Sequence, residues 1–447
     1  MNSLDRHKRW ALVVTIALLL AGPAAAQTPN PMIEVRPGGL TAYRVALQRF
    51  GDEGPGAASL APERLREALR AGLEFTPSIV TLPDAAFLGP VETARLHGAR
   101  RTDCADWRAG GADILVEGVL EERDGRVRVR IGVWDVARCV RLLSERYLRP
   151  AATMPRYARR IADDIVGAIT GTRGASATEI AFISTRTGGR QVALMDADGS
   201  NLRLATRGRS IKAFPAWLPG GTGLLYTAYV TGQQPGLYVA ARSRAVRAGA
   251  LLPDVLAGQP RYRGAFDPQG GSLAIVSSIG GAAELFRVSR DGRKVKRLTF
   301  SPSIEVSPSW SPDGEQIAFV SDRSGSPQIF VMNADGTNKR RLTFQGGYNS
   351  NPAWSPDGGW IAYQTRIGAQ FDIWLIDPTG EVSFPIVEHP RSDESPSWSP
   401  DGRRLIFSST RRGRADLYRV DRSGENLTRL TRDGGENTYP AWGPYPE

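Results

Sequence analysis

The chain has 447 residues, more than one ordinary hydrophobic core accommodates, so two domains are the expected organisation. Its 49 Gly and 31 Pro exceed what a helical protein tolerates and favour many short strands joined by turns. The net charge of +11 would suit an anionic partner, but the arginines are scattered rather than concentrated in one tract, which disfavours nucleic acid.

The first 26 residues have the pattern of a secretory signal peptide. Basic residues lie within 6–9, an apolar run covers 10–20, and small residues at 24–26 form a cleavage site. An uncleaved signal anchor is the alternative, but this apolar run is too short to cross a hydrocarbon core about 30 Å thick. We therefore expect export and a mature chain that begins near Gln27.

Residues 40–170 show mixed helix and strand patterns without a repeat. We predict strands at Tyr43–Leu47, Ile114–Leu120, Arg126–Trp134 and Leu142–Leu148, and helices at Ala61–Leu73 and Tyr157–Ile169. In the first helix, Leu65, Leu69 and Leu73 share one face because they are four residues apart. These patterns predict a small α/β domain over 27–173 with a flexible N-terminal segment, and a short linker implies contact with the following domain.

The two cysteines, Cys104 and Cys139, both lie in this first domain. In an exported protein they could form one structural disulfide or remain as two separate buried thiols, and the sequence leaves both possibilities open. Without a nearby group of histidines they make a poor zinc site.

From about Thr178 onward the sequence repeats with a period of about 44 residues. An aromatic anchor opens each repeat, and three anchors are followed by Ser-Pro-Asp-Gly, in which Pro presets φ and Gly takes the positive φ of a tight turn. Each unit then supplies four short strands, and stacked four-stranded units of this length form a β-propeller. The six anchors are Trp217, Phe266, Trp310, Trp354, Trp398 and Trp442.

The two ends of the repeat region predict how the propeller closes. Thr178 leads directly into residues 179–184, which match the second strand of the repeat, whereas no strand follows Trp442. We therefore predict a six-bladed all-β propeller over 174–447 whose first blade is completed by a C-terminal strand, which removes the open edges. The anchor tryptophans are expected to pack between blades rather than to form a ligand cage.

Catalytic motifs are missing from the sequence. It contains no Gly-x-Ser-x-Gly elbow, no His-Glu-x-x-His and no Gly-rich phosphate loop. His97 and His389 are interpreted as separate loop residues, and the Asp-containing turn at 196–199 as a hairpin rather than a calcium loop. We predict no enzymatic activity and no cofactor, with a peptidase-type or lyase-type propeller as the alternative.

One possible metal site stays open on the sequence alone. Glu305, Asp393 and Glu394 lie where blades begin, and their carboxylates could jointly hold a cation at the mouth of the channel.

The order of signal peptide, α/β domain and propeller resembles the TolB family of the Tol-Pal system. The resemblance is carried by 169–174 leading into 180–182, and by the terminal Pro-Ala-Trp-Gly-Pro-Tyr at 440–445. It implies a periplasmic, peripherally associated scaffold that supports outer-membrane integrity and cell division. It also implies that the propeller binds a Pal-like peptidoglycan-associated lipoprotein and that the mature N-terminus binds a TolA-like inner-membrane protein.

The resemblance also points to the residues just before the anchors as partner-binding positions. This sequence departs from the family pattern at Phe266, which lacks the usual preceding Pro, and in the Pro-rich residues 27–31. The implied partner-binding residues are Tyr262, Arg263, Glu305, Val306, Asn349, Ser350, Asp393, Glu394, Asn437 and Thr438.

Overall fold

A computed structural model describes residues 42–52, 61–84, 104–242, 248–251, 255–256, 258–279, 281–432 and 434–446. The predicted signal peptide, the segment expected to bind a TolA-like protein and His97 lie outside these ranges. Across the described parts of the chain, no helix combines the length and the apolar character needed to cross a membrane.

The first domain is a mixed sheet covered by helices. The helices are α1 (Pro62–Glu74), α2 (Cys104–Ala109) and α3 (Met154–Thr170). The strands are β1 (Tyr43–Leu47), β2 (Gly51–Asp52), β3 (Ile79–Thr81), β4 (Ile114–Arg123), β5 (Arg126–Asp135) and β6 (Val140–Pro150). They pair in the order β3, β1, β4, β5, β6, with β2 beside β4, and β1 runs parallel to both of its neighbours.

The helical periodicity of the sequence correctly identifies the face that packs on this sheet. Leu65, Leu69 and Leu73 of α1 are fully buried in one core with Ile161 and Ile165 of α3. The predicted helices and strands of this domain are all present, and α3 begins three residues earlier than expected, with Pro155 in its first turn. The helix ends where Gly171 adopts a left-handed φ of 79°.

Cys104 and Cys139 form a disulfide, which settles the question that the sequence leaves open. Their Cα atoms are 5.8 Å apart, and the bridge joins α2 to the turn that follows β5. Cys104 is buried with Leu115 and Val136 in a small core of its own. The bridge therefore fixes α2 against the side of the sheet.

The second domain consists of six four-stranded antiparallel sheets, as predicted. Blade 1 contains β7 (Glu179–Ser184), β8 (Gln191–Asp196), β9 (Arg203–Leu204) and the last strand, β30 (Asn437–Trp442). Blade 2 contains β10 (Ile211–Trp217), β11 (Gly223–Tyr229), β12 (Gly236–Ala241) and β13 (Gly249–Ala250). Blade 3 contains β14 (Arg261–Phe266), β15 (Ser272–Ile279), β16 (Ala282–Ser289) and β17 (Val295–Arg297).

The remaining blades continue the series. Blade 4 contains β18 (Glu305–Trp310), β19 (Gln316–Ser321), β20 (Gln328–Asn333) and β21 (Arg340–Arg341). Blade 5 contains β22 (Asn349–Trp354), β23 (Ile361–Ile367), β24 (Gln370–Ile376) and β25 (Ser383–Val387). Blade 6 contains β26 (Asp393–Trp398), β27 (Arg404–Ser409), β28 (Asp416–Asp421) and β29 (Thr428–Arg429).

The ring closes through the C-terminus, which confirms the prediction made from the repeat. β30 pairs with β7, so that Thr438 lies opposite Ile183 and Trp442 opposite Ile180. The inner strands β30, β10, β14, β18, β22 and β26 each contact the next around the axis. β30 therefore completes blade 1 and covers the edge of β7 that would otherwise be unpaired.

The anchor tryptophans pack between blades, as expected. The indole N–H of Trp310 donates to the carbonyl oxygen of Ala265 in the preceding blade at 3.0 Å, and Trp398 donates to Ala353 at the same distance. Trp354 differs because its N–H donates to Gly358 within its own blade. The repeated aromatic residue is thus a structural link between neighbouring sheets.

The α/β domain packs against the end of the propeller where the inner strands finish. Arg159 pairs with Asp196 at 3.0 Å in the turn region of blade 1, and Arg403, in the turn after β26, donates to Thr170 at 2.7 Å. The guanidinium carbon of Arg404 lies 4.3 Å from the centroid of the Phe75 ring. The inner strands begin at the opposite end of the propeller. That end lies about 20 Å away, because a strand of about six residues rises about 3.3 Å per residue.

Candidate functional site

The predicted partner-binding residues lie at the start of the inner strands, at the end of the propeller away from the α/β domain. Strand pairing defines the equivalent positions: Glu305 is opposite Ser321 and Asp393 is opposite Ser409. In blade 3 the residue in this first position is Arg261, opposite Ser277. The pair chosen from the sequence in blade 3 is therefore displaced by one residue, because Tyr262 and Arg263 occupy the second and third positions.

The two acidic first-position residues are buried and already paired with arginines. Glu305 and Asp393 are fully buried, and their carboxylates accept hydrogen bonds from Arg323 at 2.9 Å and Arg411 at 3.0 Å. Burial raises the pKa of both carboxyl groups. These acidic groups therefore fix neighbouring loops in place, and a partner cannot reach them in this arrangement.

The same burial applies to the two first-position asparagines. Asn349 and Asn437 are fully buried, and the Asn349 amide donates to Gln328 Oε1 at 2.7 Å. Ser350 is also buried, with 8% of its surface exposed. Among the predicted residues, Tyr262, Val306, Glu394 and Thr438 in the second position and Arg263 in the third keep partial exposure.

The three carboxylates considered as a cation site do not form one. Glu305 and Asp393 belong to blades 4 and 6 and are each committed to an arginine. Throughout the described ranges, no three His, Cys, Asp or Glu side chains are grouped so that they could hold a metal ion. The cation hypothesis drawn from the sequence is therefore wrong for these residues.

The third position of every inner strand, counted from the residue equivalent to Glu305, has a left-handed backbone. A β-bulge interrupts the pairing at this point in all six blades. Non-glycine residues in this conformation cost of order 1–3 kcal/mol and are concentrated at functional sites. We call these six residues the axial ring: Phe214, Arg263, Ser307, Asn351, Ser395 and Tyr439, with φ values from 49° to 60°.

Side chains of the axial ring meet across the channel. Arg263 of blade 3 donates to Asn351 Oδ1 of blade 5 at 2.5 Å, and Asn351 in turn donates to Ser395 at 3.2 Å. The Arg263 guanidinium carbon also lies 4.9 Å from the ring centroid of Phe214, which packs edge-on against Tyr439. Because blades 3 and 5 are not neighbours, the contact between Arg263 and Asn351 narrows the channel.

Arg263 is a cation without an acidic partner. No carboxylate of the described residues lies within 4.0 Å of its guanidinium group. Burial lowers the pKa of Arg263 to about 10, so the group still carries its charge at neutral pH. A partly buried, charged donor on the axis suits an acceptor oxygen supplied from outside the chain.

Sequence reasoning found Arg263 but missed the rest of the axial ring. The other five members precede the recurring Pro, three residues before each anchor, and that Pro disfavours a right-handed helical conformation at the residue before it. Their position was visible in the repeat, but their side chains differ from blade to blade. Only closure of the ring shows that these different side chains meet.

Comparison with known proteins matches both domains. A family model described as the TolB amino-terminal domain matches residues 31–142, and one described as the TolB beta propeller domain matches residues 166–446. The chain is 36% identical over 303 residues to the Tol-Pal system protein TolB of Anaeromyxobacter dehalogenans strain 2CP-C, covering 68% of this chain and 67% of that protein.

Two further similarities agree with this assignment. The Protein TolB homolog of Chlorobium luteolum is 33% identical over 314 residues, covering 68% of this chain and 69% of that protein. The crystal structure of TolB from Acinetobacter baumannii has the same fold, with a TM-score of 0.72 at 23% identity over 90% of this chain and 97% of that one. The chain belongs to the TolB family of the Tol-Pal system.

Proposed function

We propose that this protein is an exported, periplasmic and non-enzymatic scaffold of the Tol-Pal system. It binds a Pal-like peptidoglycan-associated lipoprotein at the end of the propeller that carries the axial ring. Its mature N-terminus binds a TolA-like inner-membrane protein, through residues that precede the described ranges. The protein associates with the envelope only peripherally, and in this role it supports outer-membrane integrity and constriction during division.

The lipoprotein-binding proposal rests on the charge of Arg263. Its charge is held on the propeller axis by Asn351 and Phe214, with no carboxylate of the described residues to neutralise it. An interface that supplies an acceptor here would gain a charge-assisted hydrogen bond at a desolvated centre, where binding energy is usually concentrated.

The rim around this centre is formed by residues of the second strand position. Tyr262, Val306, Glu394 and Thr438 keep part of their surface exposed and are proposed as direct contacts. The buried residues Glu305, Asn349, Ser350, Asp393 and Asn437 are proposed to act indirectly, by holding the loops that surround the contacts.

Capture of a purified Pal-like lipoprotein by the mature protein tests this function. Arg263→Gln removes the axial charge and is expected to weaken binding by tenfold or more, since charged hydrogen bonds contribute about 1.5–3 kcal/mol. Glu394→Gln should have a smaller effect at the partly exposed rim. The matched control is Arg293→Gln, which removes an exposed arginine from the β16–β17 turn, at the other end of the propeller.

Three outcomes would contradict parts of the proposal. Failure of the wild-type protein to capture the lipoprotein argues against the binding function as a whole. Equal capture by the wild type and by a folded Arg263→Gln variant argues against the axial ring as the binding centre. A separate measurement with a fluorophosphonate probe should label no serine, and specific labelling would contradict the non-enzymatic assignment.

A further inference from the structure

A cleft of about 600 Å³ opens on blade 6, apart from the axial ring. Its lining is strongly basic, and the described lining residues include no Asp or Glu. Tyr418 and Leu427 are the uncharged residues in the lining, and Leu427 is 43% exposed. The basic lining residues are His389, Arg411, Arg412, Arg429 and Arg432.

Two of the four arginines are held in fixed positions by buried aspartates. Arg411 donates to both carboxylate oxygens of Asp393, at 3.0 and 3.1 Å, and stacks 4.6 Å from the ring centroid of Tyr418. Arg429 donates to Asp416 at 2.7 Å. Because Asp393 and Asp416 are both fully buried, they orient these two guanidinium groups without entering the cleft.

The fixed arginines keep donors for a ligand. Arg429 Nε is buried and has no hydrogen-bond partner among the described residues, which is a costly state for a charged donor. Arg411 uses its Nε and one terminal nitrogen for Ser409 and Asp393, so the other terminal nitrogen stays available. Such preoriented, unsatisfied donors are typical of a binding site rather than of a solvated surface.

The other two arginines bring net positive charge. Arg412 and Arg432 are exposed, and neither has a carboxylate of the described residues within 4.0 Å. After pairing of Arg411 and Arg429 with their two aspartates, the described lining residues keep an excess of two positive charges. His389 adds another donor, because its Nδ1 accepts the Arg391 N–H at 3.0 Å and its proton therefore lies on Nε2.

We propose that this cleft is a binding site for a phosphate group, carried by a small phosphorylated molecule or by a lipid headgroup. A phosphate group carries a charge of about −1.5 to −2, which the two excess positive charges can neutralise. Its three acceptor oxygens can receive hydrogen bonds from the N–H donors of several guanidinium groups. A single carboxylate would neutralise only half of that charge. The exposed Leu427 offers an apolar surface to the rest of the ligand. None of the described lining residues belongs to the axial ring, but Arg411 connects the cleft to Asp393 at the proposed lipoprotein-binding end of the propeller.

Calorimetric titration at constant ionic strength tests the proposal, with pyrophosphate as the soluble phosphate and glutarate as the dicarboxylate. Wild-type protein should bind pyrophosphate saturably and at least tenfold more tightly than glutarate. The double variant Arg412→Gln/Arg432→Gln should bind pyrophosphate at least tenfold more weakly. The matched control, Arg123→Gln/Arg293→Gln, removes two arginines that are 82% and 86% exposed elsewhere and should bind like the wild type.

Vesicles distinguish the two sources of phosphate. Binding to phosphatidate vesicles but not to phosphatidylcholine vesicles, with competition by pyrophosphate, would identify a lipid headgroup as the ligand. Saturable binding of pyrophosphate without vesicle binding would identify a small phosphorylated molecule. Equal affinity for pyrophosphate and glutarate, or no saturable binding of pyrophosphate or phosphatidate vesicles, would overturn the proposal. The wild-type measurements decide this even if the double variant does not fold.

Discussion

The indole N–H of Trp442 donates a hydrogen bond to Thr178 Oγ1 at 2.8 Å. Thr178 immediately precedes the first strand of the propeller, and Trp442 ends the last one. Both residues are buried, and Trp442 belongs to a core that also contains Phe75 of the α/β domain and Ile406 of blade 6. One hydrogen bond therefore connects the two ends of the propeller beside the junction of the domains.

Removing the closing strand should destabilise the whole propeller. A chain that stops after Asp433 loses β30, its pairing with β7 and the buried Trp442, and truncation of a buried Trp alone costs about 3–5 kcal/mol. We expect a large decrease in the melting temperature, measured by circular dichroism. A chain that stops after Tyr445 is the control, because it keeps β30 and the hydrogen bond from Tyr445 to Arg173. Equal melting temperatures for the shorter chain and the wild type would rule out closure by β30.

The anchor tryptophans should differ in their contribution according to the acceptor of the indole N–H. Trp398→Phe leaves the partly buried carbonyl oxygen of Ala353 without this donor between blades, and the loss of such a hydrogen bond costs about 0.5–1.5 kcal/mol. Trp354→Phe is the matched control, since the indole N–H of Trp354 donates to Gly358 of its own turn and the residue is partly exposed. Urea denaturation should show the larger loss for Trp398→Phe. Similar losses for both variants would mean that the hydrogen bonds between blades add little.

Asp163 should make stability depend on pH between about 4 and 6. Its carboxylate accepts hydrogen bonds from the Ser176 and Ala177 backbone at 2.7 and 2.9 Å, but burial raises its pKa from 3.8 to about 6. The folded state then binds the proton more tightly than the unfolded chain. Its contribution to stability is therefore greatest below pH 3.8 and decreases as the pH rises towards 6, by about 3 kcal/mol in total.

Denaturant titrations of the wild type and Asp163→Asn at several pH values measure this dependence. The wild type should lose stability relative to the variant as the pH rises through that window. Ser176→Ala is the control, because it removes the hydroxyl contacts to Asp163 and to the Arg159 carbonyl oxygen and keeps the carboxyl group. If the difference in unfolding free energy between the wild type and Asp163→Asn stays constant with pH, Asp163 does not titrate in the window.

The disulfide should be complete in the exported protein. Thiol titration of the denatured, unreduced chain should find no free thiol, and reduction should release both Cys104 and Cys139. Replacing both residues with Ser should lower the stability of the α/β domain by about 2–4 kcal/mol, as expected when a cross-link is removed from the unfolded chain. Two free thiols before reduction would contradict the bridge.

The sequence by itself determined the architecture of the propeller. Tight turns at Ser-Pro-Asp-Gly, alternating apolar strands and aromatic anchors are local features, so they can be read without knowing what packs against them. The absent first strand before Glu179 and the unmatched anchor Trp442 were enough to predict six blades closed by the C-terminus. The helices and strands of the first domain were predicted for the same reason.

Only the tertiary structure decided which residues could form a binding site. In the sequence, Glu305 and Asp393 looked like accessible ligands. In the structure their carboxylates are buried and paired with Arg323 and Arg411, each of which lies 18 residues further along the chain. Arg263 meets Asn351, 88 residues away, because closure of six blades brings the third strand positions together around one axis. Turn chemistry acts over a few residues, whereas the burial and pairing of a charge depend on distant segments, which is why the fold was predictable and the site was not.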